Sequence, residues 1–143
     1  MQIERIEMEE RVNRRKAAKI DLEWITIAHL GKNAMGRTYT EDHMDVLARD
    51  IVPGMHVVEW HHQEPPSLDE LYGVVTHARR AGDEYQVKVR WVKKPTEKSW
   101  LSIHGSMRPH NGRLDGSAGF TLDEVFHLES CSAGSNFQRA TAI

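Results

Sequence analysis

The stretch that most restricts the fold runs from residue 71 to residue 92. Residues 71–78 and 84–92 are short apolar runs separated by Arg79-Arg80-Ala81-Gly82-Asp83. In the second run Tyr85, Val87, Val89 and Trp91 share one parity, with polar and charged residues on the other. Successive side chains of a strand point to opposite faces, so this alternation around Gly82-Asp83 predicts an antiparallel hairpin with one apolar face. A hairpin alone cannot bury that face, and the rest of the chain must supply partners.

The flanking sequence does so with more strands than helices. Residues 20–30 are rich in aromatic and β-branched side chains, which favour a strand, and Gly31-Lys32-Asn33 reads as the turn that ends it. Thr38-Tyr39-Thr40-Glu41 has the form of a capping box, and Met44, Val46, Leu47 and Ile51 follow at helical spacing until Pro53-Gly54. The spacing predicts a helix over 41–51. Strands are expected over 56–60, 101–104 and 120–132, with polar loops over 61–70 and 105–119. The fold class is mostly β with inserted helices (α+β), built as a small, mostly antiparallel β-barrel.

Composition limits what such a domain does. The 143 residues suit one domain, with a highly charged N-terminal arm over 1–19 and a folded unit over 20–143. Lys plus Arg number 19 and Asp plus Glu 21, a formal net charge of −2, so no field steers the chain to nucleic acid. There is no long apolar run and no apolar leader, so neither a membrane partner nor secretion is expected. The single cysteine, Cys131, precludes an internal disulfide and suits a reducing compartment.

Chemistry concentrates at strand ends. His61 and His62 follow the run Val57-Val58-Glu59-Trp60, and Ser102 lies within Trp100-Leu101-Ser102-Ile103-His104-Gly105. A serine hydroxyl needs an imidazole within hydrogen-bond reach to become a nucleophile, and a third group to hold that imidazole. The ordinary role of a hydroxyl inside a strand is packing and a bond to backbone. His104, Gly105 and Ser106 form a candidate oxyanion region, with Ser106 the second choice of nucleophile. On the last strand, alternation puts His127 and Glu129 on one face and Glu124 on the other. No G-x-S-x-G elbow occurs, which argues against an α/β-hydrolase. With no His-x-x-x-His or Cys-x-x-Cys spacing, no metal and no other cofactor are expected. A metal hydrolase using His61, His62 and His104 is the outlying alternative.

The order of these segments resembles the phage prohead maturation proteases. The similarity rests on Gly36-Arg37-Thr38-Tyr39-Thr40-Glu41 with its helix, Pro53-Gly54-Met55-His56-Val57-Val58, His61-His62-Gln63 and Tyr72-Gly73-Val74-Val75. Trp100 to Gly105 is similar to the family's serine strand, and the segment from His127 to Asn136 resembles its closing segment. The resemblance spans about residues 20–142. Two departures stand out: His104 where the family has glycine, and Gly134-Ser135 where it has Pro-Ala.

The resemblance implies a herpesvirus-assemblin-like β-barrel and a serine endopeptidase that trims scaffold and capsid polypeptides. It would act in the host cytoplasm, inside the immature viral head, with room for a homo-oligomer. Residue by residue, it implies Ser102 as nucleophile, His62 as base with His61 at its flank, and His127 as third member. Glu124 and Glu129 are the alternates for that third place. A barrel that has lost activity and serves head assembly is the competing expectation.

Overall fold

The computed structural model describes residues 22–59, 71–95, 99–131 and 143. Along the chain these form β1 (Ile25–His29), β2 (Gly31–Lys32), β3 (Thr38–Tyr39) and α1 (Glu41–Asp50). Then come β4 (His56–Glu59), β5 (Leu71–Ala81), β6 (Glu84–Trp91), β7 (Trp100–Pro109) and β8 (Phe120–Cys131). Six strands make one sheet in the order β1-β6-β5-β4-β8-β7, while β2 and β3 pair separately as a short ribbon. The sheet curls into a half-barrel whose edge strands, β1 and β7, approach each other without pairing.

The mostly-β reading and the central hairpin hold. Ala81 pairs with Glu84 across Gly82-Asp83, and Gly82 alone takes a positive φ, +63°, as a type II′ turn requires. Tyr85, Val87 and Val89 are buried on one face. Their partners in the core are Ile25, Ile27, Val57, Val75, Leu101, Val125 and Leu128. Met44 and Leu47 of α1, with Ile51 just after it, complete that core. Each such side chain contributes about 1.5–3 kcal/mol by leaving water.

Four details depart from the sequence expectation. The sheet is an open half-barrel, and its β4–β8 pair is parallel, with Val57 opposite Leu128. Side-chain alternation reports a strand's faces but not the direction of its neighbour, so the parallel pair is not legible in it. The helix cap is Thr40, not Thr38, because Thr38 and Tyr39 are still extended in β3. Its reciprocal partner is His43: the Thr40 N–H donates to Nδ1 at 2.9 Å, and Nε2 lies 2.7 Å from the Phe120 carbonyl. With Nδ1 accepting, Nε2 carries the proton and donates to β8. Third, β7 runs on to Pro109, so Gly105 and Ser106 are strand residues and the loop begins at 110. The fourth is a pair of irregularities in β8.

Those irregularities position everything that follows. Against β7, Gly105 faces Val125 and His104 faces His127, which leaves Phe126 as an extra residue; Asp123 is extra in the same way between Glu124 and Leu122. A bulge of this kind bends the strand and takes backbone groups out of the ladder. Here α1 supplies replacements. The Val125 N–H donates to Asp50 Oδ2 at 2.8 Å, and Arg49 Nη2 donates to the Asp123 carbonyl at 2.6 Å.

Arg49 also bonds both Asp50 oxygens, at 2.7 and 3.0 Å. These bonds hold the Asp50 carboxyl below the usual carboxylate range; burial opposes them, and the Val125 N–H adds to the lowering. Because the folded value lies below the unfolded one, the stabilisation is fully present above a pH near 3.8 and is lost as pH falls through the folded value. Asp50→Asn is therefore expected to melt lower than wild type at neutral pH. The two melting curves should converge in a series carried from about pH 7 to about pH 2.

Candidate functional site

The outer face of the β7–β8 pair gathers the residues that carry chemistry. On β7 every second residue points outward, so Ser102, His104 and Ser106 share that face, while Leu101 is buried on the other. On β8 His127 and Glu129 point the same way, with Val125 and Leu128 in the core. The register sets Ser102 directly across from Glu129 and His104 directly across from His127. Directly opposed residues have Cβ atoms about 4.5–5.5 Å apart, close enough for their side chains to interact.

Glu129 organises the cluster. It is only 4% exposed although it lies on the face away from the core, with Val58 of β4 beside it on one side and Ser102 on the other. A buried carboxylate is costly unless hydrogen bonds or cations serve it. Two imidazoles do so through one oxygen. Oε1 lies 2.9 Å from His127 Nε2 and 3.3 Å from His104 Nδ1. The two rings stack on each other, centroids 4.5 Å apart and planes 16° from parallel. With the carboxylate accepting, His127 Nε2 carries the proton of the shorter contact, while His104 Nδ1 stands at the longer distance without a hydrogen bond. His104 is the open side of the cluster, its side chain 43% exposed. The extra residue Phe126, also exposed, packs beside it with centroids 6.2 Å apart.

The expected residues are thus partly assembled. Ser102, His104, His127 and Glu129 come together. His61 and His62 lie outside the described residues. Glu124 is exposed and pairs with Ser106, on the same face as His127 rather than the opposite one. The extra Phe126 reverses the parity that strict alternation would give. Glu124 has no part in the imidazole pair, so of the alternates it is Glu129 that meets His127. Among the described residues the Ser102 hydroxyl makes no side-chain hydrogen bond.

Gly105 has a steric role instead of an open one. A Cβ built there would sit 2.0 Å from the Glu124 carbonyl oxygen, so the β8 backbone occupies the space a side chain would need. The share of His104 in the Glu129 interaction is not legible in the sequence alone. A signal is present, an i, i+2 pair of polar residues facing a second such pair, but reading it requires the pairing register.

No family model, no curated protein and no solved structure matches this chain. The site therefore has to be read from its own geometry. Among the described residues no helix is long and apolar enough to cross a membrane.

Proposed function

We propose that the chain is a serine endopeptidase of the phage prohead type, on an assemblin-like β fold, that trims scaffold and capsid polypeptides inside the immature head. The observation that carries the reading is the placement of Ser102, His127 and Glu129 on one face of two paired strands, with the buried carboxylate bonded to the imidazole. A carboxylate that fixes an imidazole is the arrangement a proton-transfer site needs. The resemblance adds His62 as the base that takes the Ser102 proton, with His127 behind it and Glu129 positioning His127.

The chemistry follows in two halves. Ser102 Oγ loses its proton to the base and bonds to the peptide carbonyl carbon, and the negative charge moves to the carbonyl oxygen. Collapse expels the amine, which takes the proton from the base, and leaves an ester on Ser102. Water then repeats the sequence, and the acid leaves. Among the described strands β7 is an edge of the sheet, where one side of a strand's backbone is open to a further partner. Backbone N–H groups near residues 104–106 are the candidates for donors to the oxyanion.

An inactive assembly protein on the same fold is the second reading. It is favoured by the lack of a described partner for the Ser102 hydroxyl and by the commitment of both rings to one oxygen. Fluorophosphonate labelling separates the two. The peptidase reading expects a covalent adduct that maps by mass spectrometry to Ser102. An unlabelled, folded chain that leaves scaffold and capsid proteins uncut would overturn it, and an adduct on Ser106 alone would move the nucleophile.

A further inference from the structure

We propose that His104, His127 and Glu129 together bind one divalent transition-metal ion of the zinc class. The donor set is two imidazole nitrogens and one carboxylate oxygen, a combination that zinc accepts from three protein ligands with a further position left to water. Nothing in the spacing of the sequence announces it, because the ligands come from two strands and meet only through their register.

Three observations carry the assignment. The first is distance. His104 Nδ1, His127 Nε2 and Glu129 Oε1 lie within 4.8 Å of one another, and the two nitrogen–oxygen separations are 3.3 and 2.9 Å. Donors around a tetrahedral zinc, with bonds near 2.0–2.1 Å, stand roughly 3.3 Å apart. Two edges of the triangle are thus near their bound length before any ion arrives. Both ring nitrogens already stand near one oxygen, and the third edge closes by a turn of the half-exposed His104 ring.

The second is charge. Glu129 is buried, and among the described residues its ion-pair partners are these two imidazoles, with no lysine or arginine in reach. A cation between the three donors would give the buried carboxylate a full counter-charge. The third is mounting and access. The backbones of all three ligands are fixed in paired strands, and Glu129 is further held by the parallel neighbour β4. His104 sits on the edge strand, so the ion can enter from solvent and keep an open coordination position there.

Binding does not require that Ser102 be a nucleophile, so it can fail or succeed independently of the peptidase reading. The test uses the full chain, stripped with a chelator and titrated with zinc chloride by calorimetry. Cobalt(II) provides the optical readout. The expected result is one equivalent bound and the visible absorption of tetrahedral cobalt. His104→Ala, on an exposed edge position, should weaken binding at least tenfold and abolish the cobalt bands. Glu129→Gln should do the same, with thermal melts confirming that both variants are folded. His110→Ala is the control, since His110 bonds Thr121 away from the cluster. Should Glu129→Gln not fold, His104→Ala decides alone. An unsaturable titration of the wild type, or one equivalent held as tightly by His104→Ala as by wild type, overturns the assignment.

Discussion

Ser102→Ala is expected to abolish cleavage of the scaffold and capsid polypeptides while leaving the melting temperature almost unchanged. Removing a serine nucleophile from a complete site lowers kcat by something on the order of 10⁶. The same substitution is mild for the fold. The side chain is half-buried on the outer face, and its hydroxyl has no hydrogen-bond partner among the described residues. Its loss orphans no buried group, and a change within about 0.5 kcal/mol is the ordinary result at such a position. Activity and stability therefore separate in one variant. Time courses of wild type and Ser102→Ala on the same substrates, resolved by gel and mass spectrometry, check the prediction. Equal cleavage by both would remove Ser102 from the mechanism.

The largest effect on stability is expected from Gly105→Ala, beside His104 on β7. The new Cβ would lie 2.0 Å from the Glu124 oxygen and 3.0 Å from both the Glu124 carbonyl carbon and the Val125 Cα. All three are backbone atoms, so no rotamer change relieves the clash. Either the β7–β8 ladder opens at the bulge or β8 shifts, and overpacking of this severity costs at least about 3 kcal/mol. In a domain of this size that is a fall of roughly 10 °C in Tm. Gly112→Ala is the comparison. A Cβ added at Gly112 would meet nothing within 4 Å, and the residue needs only its φ of +69°, worth about 1–2 kcal/mol. Thermal melts of the two variants should differ accordingly, and equal losses would mean that the β8 backbone gives way easily.

The sequence is most legible where one residue's neighbours lie close along the chain. Met44, Leu47 and Ile51 mark the helix face that is buried, and Tyr85, Val87 and Val89 mark the strand face. Both patterns depend only on local periodicity. Legibility falls wherever a distant backbone decides the outcome. The parallel partnership of Val57 with Leu128 leaves no trace in either segment. Thr38 satisfies the cap motif with Glu41 three residues on, whereas Thr40 has His43 at that place, and only the position of Thr38 in a strand opposite Lys32 rules it out. For the site, residue chemistry offers Ser102 with His61 and His62, and Glu124, His127 and Glu129 on the last strand, without choosing among the last three. That Glu129 serves two rings through one oxygen depends on register across two strands, and that is a tertiary fact.

Strand β8 can be thought of as carrying a reading frame. Its twelve residues send Leu122, Val125 and Leu128 inward and His127 and Glu129 outward, and the frame is kept by two supernumerary residues, Asp123 and Phe126. Losing either of those would leave every other residue opposite its present partner. Losing any ordinary residue between Leu122 and Glu129 would flip part of the strand, turning a leucine or valine to water or an acidic or imidazole side chain into the core. Length changes in this strand therefore have two safe addresses. One of them, Phe126, leans on the exposed ring of His104, so the spare residue doubles as a side wall for the cluster it keeps in phase.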